Sequence, residues 1–127
     1  PICGTGVLLI EAARLGCSVR GSDTNVKACH MARANFSALG LEAEIVVRDA
    51  FEPTDEFADV VVGDLPYGRR LQPSAVEPLA RLLAARAKRW ALIADADLSE
   101  ALRAAGTEPR LVIEVPKATF SRYVLVG

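Results

Sequence analysis

Apolar and polar positions follow two different spacings along this chain, and turn residues separate the segments. Val7 to Leu15 is apolar and helix-forming and ends at Gly16. The segment from Val26 to Leu39 has apolar residues at helical spacing and ends at Gly40, and Asn25 or Thr24 can cap it. Three shorter segments predict strands, at residues 18–23, 43–48 and 57–63. The first half of the chain therefore alternates helix and strand.

The second half continues this alternation and ends in two adjacent strands. A helix is predicted from about Ser74 or Glu77 to Lys88, and Pro78 restricts where it starts. A strand follows over 90–95, with Trp90 expected in the core, and residues 97–100 form a capping box that opens a helix ending at Gly106. The last two strands, 110–115 and 120–126, have a four-residue link that is too short for a parallel crossover. They therefore predict an antiparallel hairpin.

This order of elements predicts an α/β fold with a mostly parallel sheet, helices on both faces and a C-terminal antiparallel hairpin. The turn at residues 1–6 leads straight into a helix, so we expect its preceding strand to lie before Pro1. Since Pro1 is not a natural start, we interpret residues 1–127 as one N-terminally truncated domain whose first strand is missing.

Composition and charge narrow the function classes. Half of the residues are hydrophobic (51%) and the net charge is −1, so a real core is expected but no global attraction for nucleic acid. Residues 42–64 are mostly acidic and residues 69–89 mostly basic. The basic stretch is either a solvated helix face or one flank of a site for an anionic substrate.

The cysteines argue against zinc and against a disulfide framework. Cys3, Cys17 and Cys29 are odd in number and lack CxxC spacing, so we expect no metal and a reducing, cytoplasmic compartment. We expect neither a signal peptide nor a membrane-spanning segment, since the sequence has no suitable apolar run.

The turn Cys3-Gly4-Thr5-Gly6 can cradle a nucleotide. Glycines let the backbone come close to a ligand, and the helix behind them points free N–H groups forward. The third glycine of a dinucleotide fingerprint is absent, because Leu9 stands there. A plain tight turn is the alternative interpretation.

Acidic residues end the next two predicted strands. Asp23 is placed to accept hydrogen bonds from ribose hydroxyls, and its alternative role is to favour the N-terminus of the following helix. Asp49, with the Ala50 backbone beside it, could bind an adenine amino group, or it could be a solvated turn acid. Three strand ends that each offer a nucleoside-binding group favour a nucleotide cofactor.

The segment Asp64-Leu65-Pro66-Tyr67 follows the strand Val60-Val61-Val62 and forms a rim at its carboxyl end, where ligands bind in open α/β sheets. The Asp64 carboxylate and the Leu65 carbonyl can accept hydrogen bonds from one NH2 group. Pro66 stiffens the turn, and Tyr67 offers a ring on which a base can stack. The alternative is a surface turn with an exposed tyrosine.

With these motifs the chain resembles the class I S-adenosylmethionine-dependent methyltransferases, and more narrowly the THUMP-associated RNA guanine-N2 methyltransferases. Residues 1–6 match that family's Asp-Pro-x-Cys-Gly-(Ser/Thr)-Gly motif except for the leading Asp, and 10–13 continue the pattern. Residues 64–67 match its (Asp/Asn)-Pro-Pro-(Tyr/Phe) motif with Leu65 as the departure, in an Asp-Leu-Pro-(Tyr/Phe)-Gly variant. The resemblance spans nearly the whole chain and implies a Rossmann-like fold.

The resemblance implies S-adenosylmethionine as cofactor, bound by Cys3, Gly4, Gly6, Asp23 for the ribose, and Asp49 with Ala50 for the adenine. It implies that residues 64–67 hold the N2 amine of a guanosine in RNA, with tRNA expected, while the RNA-gripping THUMP domain is absent here. Transfer to adenine N6 in RNA or DNA is the alternative within the class. A non-catalytic cofactor-fold module and a nicotinamide-dependent reductase are alternatives outside it.

Overall fold

A computed structural model describes residues 1–66 and 73–127. These residues form two compact units, Pro1–Glu52 and Pro53–Gly127. Each unit has its own sheet, so the two are described in turn.

The first unit contains two helices and two parallel strands. Its elements are α1 (Val7–Arg14), β1 (Arg20–Asp23), α2 (Val26–Ala38) and β2 (Glu44–Val47). The strands pair in register from Arg20 opposite Glu44 to Asp23 opposite Val47. The Arg20 guanidinium lies 2.9 Å from the Glu44 carboxylate across the first of these pairs. The predicted alternation of helix and strand is confirmed here.

The core of this unit forms where α2 covers the two strands. Cys29, Ala32 and Phe36 lie at helical spacing on α2 and are buried, and Ile45 of β2 is buried with them. The apolar stripe is narrower than the sequence suggested, because Val26 and Leu39 at the two ends of the helical segment are exposed. The side chain of Asn25 caps α2 by accepting hydrogen bonds from two backbone N–H groups of its first turn.

The second unit is a four-stranded sheet with two helices. Its elements are β3 (Ala58–Asp64), α3 (Pro73–Ala84), β4 (Ala87–Ala94), α4 (Ser99–Ala104), β5 (Leu111–Pro116) and β6 (Ser121–Val126). The strand order is β3-β4-β6-β5. β3 and β4 are parallel, and β6 runs antiparallel to both β4 and β5. The C-terminal hairpin is therefore confirmed, and β6 is its antiparallel strand.

Large apolar side chains from the strands and helices fill the interior of this unit. Leu79 and Leu83 of α3, Leu92 of β4 and Leu102 of α4 are almost completely buried. Trp90 is only 3% exposed, which confirms its expected place in the core.

Two predicted element boundaries in the second unit were wrong. α3 ends at Ala84 and β4 begins at Ala87, so Lys88 lies in the strand rather than in the helix. The reason is tertiary: Ala87 pairs with Ala58 at the start of the parallel ladder, which overrides the helical preference of the local sequence. Pro78, expected near the helix start, lies inside α3.

The predicted capping box at residues 97–100 is also wrong in detail. The N-cap position of α4 is Leu98, which offers no side-chain oxygen. Asp97 instead accepts a hydrogen bond of 2.9 Å from the Ser99 backbone N–H, and its carboxylate also accepts from the Ser99 hydroxyl. These contacts lower the pKa of Asp97, the hydroxyl bond contributing most.

The α/β fold class with a C-terminal antiparallel hairpin is confirmed. In the part of the chain that the structure describes, none of the helices combines the length and apolar character needed to cross a membrane.

Candidate functional site

The glycine turn of the first unit is built on left-handed backbone. Gly4 has φ +54° and Gly6 has φ +86°, and Gly6 is the N-cap of α1. The Gly6 N–H donates to the Cys3 carbonyl at 2.9 Å, which closes the turn. A side chain at Gly6 would place its Cβ 3.3 Å from Ala32 and from the Phe36 ring. Gly6 therefore lets the turn pack closely against α2.

Gly4 differs from Gly6 in what surrounds it. Apart from Gly4 and its two chain neighbours, no heavy atom of the described residues lies within 4 Å of the position that a Gly4 Cβ would take. Within those residues, no side chain caps the N-terminus of α1. The turn thus presents open backbone in front of a helix N-terminus, which is an arrangement suited to a ligand with anionic or hydroxyl groups.

Asp23 holds this turn in place. Its Oδ2 accepts a hydrogen bond of 2.8 Å from the Gly4 N–H, and its Oδ1 accepts one of 2.9 Å from the Asn25 N–H. Next to it, the Cys3 N–H donates to the Ser22 carbonyl at 2.8 Å. The sequence indicated that Asp23 belongs to the same site as the glycine turn. It did not reveal that the Asp23 carboxylate accepts a hydrogen bond from the backbone of that turn. A carboxylate has about four lone-pair sites, so acceptor capacity remains for ribose hydroxyls.

Asp49 and Ala50 lie just after β2, at the carboxyl end of the two-stranded sheet. The Arg48 N–H donates to the Asp23 carbonyl at 3.1 Å, which extends the pairing just beyond β2. The Asp49 side chain is exposed, and its Oδ1 accepts a hydrogen bond of 2.9 Å from the Phe51 N–H. Ala50 is buried. Asp23 ends β1 and Asp49 follows β2, so both acids lie at the carboxyl end of the two-stranded parallel sheet.

Cys3 is a structural member of the turn rather than a nucleophile. Its thiol lies 3.7 Å from the Gly4 carbonyl oxygen. Burial, with smaller contributions from Cys29 and Asp23, raises the pKa of Cys3 to about 11. The thiol is therefore protonated at neutral pH.

The rim lies in the second unit, at the carboxyl end of β3. Asp64 is the last residue of β3 and pairs with Ile93 of β4, and its side chain is 48% exposed. The Leu65 N–H donates to the Ile93 carbonyl at 2.8 Å, and the Leu65 side chain is 1% exposed. Leu65 thus anchors the rim in the core while Asp64 faces solvent. Pro66 is half-buried, and Tyr67 lies outside the described residues.

Sequence analysis missed one residue at this rim. The Arg122 guanidinium of β6 donates from Nη2 to Oδ1 of Asp64 and forms an ion pair with it. The two residues are 58 positions apart, so no local pattern could link them. Only the pairing of β6 beside β4 brings them together.

The basic stretch at 69–89 is partly explained by surface ion pairs. Arg81 lies 3.7 Å from Glu77 and donates to the Ala101 carbonyl at 3.1 Å, and Lys88 lies 3.1 Å from Asp59. These contacts favour the interpretation of Arg81 and Lys88 as part of a solvated surface. Arg69 and Arg70 lie outside the described residues. Within 1–66 and 73–127, no group of three or more His, Cys, Asp or Glu side chains is placed to hold a metal ion.

Comparison with known families identifies this chain. The model of the UPF0020 family, described as the RMKL-like methyltransferase domain, matches residues 1–110. The match covers most of the 127 residues. The chain belongs to the UPF0020 family.

Two curated relatives match part of this UPF0020 domain. The tRNA (guanine(10)-N2)-dimethyltransferase of Methanothermobacter thermautotrophicus is 39% identical over 70 residues, which are 54% of this chain and 21% of the relative. The ribosomal RNA small subunit methyltransferase C of Alcanivorax borkumensis is 33% identical over 70 residues, which are 55% of this chain and 22% of the relative. The matched region is thus about a fifth of the length of these relatives.

A solved structure confirms the fold of the UPF0020 domain. The magnesium protoporphyrin IX methyltransferase of Synechocystis, crystallised with S-adenosylmethionine, superposes with a TM-score of 0.81 over 98% of this chain and 65% of its own. The identity is 18%, so the likeness speaks for the Rossmann-like fold. The cofactor bound to that protein is the one that the sequence of this chain implied.

Proposed function

We propose that this UPF0020 domain transfers a methyl group from S-adenosylmethionine to the exocyclic N2 amine of a guanosine in RNA, with tRNA as the RNA. Family membership supports methyl transfer. The archaeal relative named as a tRNA guanine-N2 dimethyltransferase supports the substrate, although it matches only about half of this chain. A cytoplasmic site of action stays a prediction.

The residues of the first unit fit the cofactor. The open backbone at Gly4 would be filled by a Cβ, and the α1 N-terminus behind it supplies N–H groups. Asp23 retains lone pairs for ribose hydroxyls after it has bonded to the turn. Asp49 and the Ala50 backbone are proposed to bind the adenine. When bound, the cofactor supplies an electrophilic methyl group on a sulfonium.

The observation that carries the proposal is the placement of Asp64. It ends β3 with a half-exposed carboxylate, while Leu65 behind it is fixed by a backbone hydrogen bond and a buried side chain. Two oxygens on a fixed rim can both accept hydrogen bonds from one planar NH2 group. Such a group is thereby oriented with its nitrogen lone pair out of the base plane.

The rim residues need only position the amine. In-line displacement requires the nitrogen about 3–3.5 Å from the methyl carbon, and such positioning can supply roughly 7–11 kcal/mol of the barrier. The new N–C bond forms as the S–C bond breaks, and the nitrogen loses its proton after it has become cationic. Asp64 holds the amine before transfer and can accept that proton afterwards.

Selection of the RNA is proposed to lie mainly outside this chain. A net charge of −1 provides little general attraction for phosphates. The target base must be unpaired or flipped out before its amine can reach the rim. Adenine N6 is the competing acceptor, because the same two oxygens suit that amine.

The proposal is tested by Asp64→Ala in the intact protein, with Asp59→Ala at the other end of β3 as the matched control. Loss of one preorganised hydrogen-bonding group typically costs about 10²–10³-fold in turnover. We expect a loss of that order in methyl transfer to tRNA, with the calorimetric affinity for S-adenosylmethionine unchanged within a few-fold. The control should retain both. Equal losses of turnover and affinity would contradict the assigned role.

A further inference from the structure

Arg122 is less exposed than the other side chains of the second unit for which the structure describes an ion pair. Its side chain is 13% exposed, whereas Lys88 and Asp59, which form a pair on the same sheet, are 71% and 82% exposed. A guanidinium that is largely removed from water loses hydration, and its ion pairs and hydrogen bonds must offset that loss. Arg122 is nevertheless directed at the half-exposed carboxylate of the rim.

The register of the sheet explains why this arginine reaches Asp64. Ile93 of β4 pairs with Asp64 on one side and with Val124 of β6 on the other. Arg122 lies two residues before Val124, so its side chain leaves the sheet on the same face as Asp64. The long side chain then spans β4 at the carboxyl end of β3. The backbone of β6 therefore fixes the position of the Arg122 Cα, from which the guanidinium extends toward Asp64.

Within the described residues, the hydrogen bond from Arg122 uses one oxygen of the Asp64 carboxylate. Nη2 of Arg122 donates to Oδ1 of Asp64. The carboxylate can use Oδ2, together with the carbonyl of Leu65, for a substrate amine. A charge-assisted hydrogen bond from a planar guanidinium restricts rotation of the carboxylate more than a flexible ammonium would.

We propose that Arg122 is a positioning residue that holds the Asp64 carboxylate in the orientation that receives the substrate amine. This rests on the proposed function of the rim. Arg122 acts through Asp64 and needs no contact with the cofactor. Its removal should therefore affect turnover rather than cofactor affinity. A displacement of about 1 Å at a reacting group can cost on the order of 10²-fold in rate.

The first test compares Arg122→Met and Arg122→Lys with Arg110→Met in the intact protein. Arg110 is an exposed arginine whose backbone bonds to Val126, at the opposite end of β6. Methyl transfer is measured with S-adenosylmethionine and with tRNA from a strain that lacks the gene. We expect kcat to fall about 10²-fold for Arg122→Met. Arg122→Lys should restore part of the loss, and the control should match wild type.

The same series separates positioning from other roles through KM. The KM for S-adenosylmethionine should stay within about two-fold of wild type in both Arg122 variants. An unchanged kcat in Arg122→Met would overturn the proposal. A raised kcat would also overturn it, because Arg122 would then be occupying the place of the amine.

A second measurement does not depend on turnover. Urea unfolding of Asp64→Ala, Arg122→Met and the double variant forms a cycle that detects whether the two side chains act together. We expect the midpoint shift of the double variant to differ from the sum of the single shifts. Additive shifts would overturn the positioning role. Non-additive shifts in a protein that methylates no tRNA would support the positioning of Asp64 by Arg122. They would refute only the proposed function.

Discussion

Replacement of Gly6 by alanine tests whether the glycine turn packs on α2 as described. Gly6 has φ +86°, and Gly16 at the end of α1 has the nearly equal value of +84°. A Cβ on Gly6 would lie 3.3 Å from Ala32 and Phe36, whereas a Cβ on Gly16 would have no described atom within 4 Å beyond Gly16 and its two chain neighbours. The two substitutions therefore impose the same backbone strain and differ in packing.

The expected magnitudes follow from this comparison. A left-handed conformation costs a non-glycine residue about 1–2 kcal/mol, and this cost applies to both variants. Overpacking adds about 1–3 kcal/mol, and the low end applies here because a shift of a few tenths of an ångström relieves the contacts. We expect a loss in the free energy of unfolding of about 1–2 kcal/mol for Gly16→Ala and about 2–3 kcal/mol for Gly6→Ala.

Urea unfolding at constant pH measures both losses. The comparison is valid when the dependence of the free energy on urea is the same for both variants, since the midpoints then report stability. Gly6→Ala should unfold at a lower urea concentration than Gly16→Ala. Equal midpoints, or a less stable Gly16→Ala, would refute the close packing of the turn against α2.

Two further predictions concern the same turn. Asp23→Ala should weaken S-adenosylmethionine binding before it limits turnover at saturating cofactor, because it removes both the clamp on the Gly4 N–H and the acceptors for the ribose; calorimetry that shows unchanged affinity would contradict this. Cys3 should react with iodoacetamide at pH 8 far more slowly than the exposed Cys17, since its pKa is about 11, and equal rates would contradict its burial. The pKa of the Cys3 thiol is 9.0 in the unfolded chain and about 11 in the folded one. The free energy of unfolding should therefore fall as the pH rises from 9 to 11, and this fall should be absent in Cys3→Ala.

Helical and strand spacing in the sequence was sufficient to predict the order of the elements. α1 and α2 end two residues before Gly16 and Gly40, which adopt the left-handed conformation that commonly follows a helix C-terminus. The boundary between α3 and β4 was not predictable in this way. Lys88 belongs to β4 because its neighbour Ala87 pairs with Ala58, a contact that depends on the assembled sheet.

The candidate site was predicted in part for the same reason. Gly4 precedes α1, and Asp23 and Asp64 are the last residues of β1 and β3; all three lie in motifs that could be recognised in the sequence. The hydrogen bond from Gly4 to Asp23 and the ion pair from Arg122 to Asp64 join residues 19 and 58 positions apart. The chain has many arginines, and only the register of β6 against β4 selects Arg122.

Mass spectrometry of the methylated nucleoside tests the central claim most directly. Purified intact protein would be incubated with S-adenosylmethionine and tRNA from a strain that lacks the gene, and the RNA would then be digested to nucleosides. We expect N2-methylated guanosine with the wild-type protein, and formation of it about 10²–10³-fold slower with Asp64→Ala. The appearance of N6-methyladenosine in its place, or of N2-methylated guanosine at equal levels with both proteins, would contradict the account.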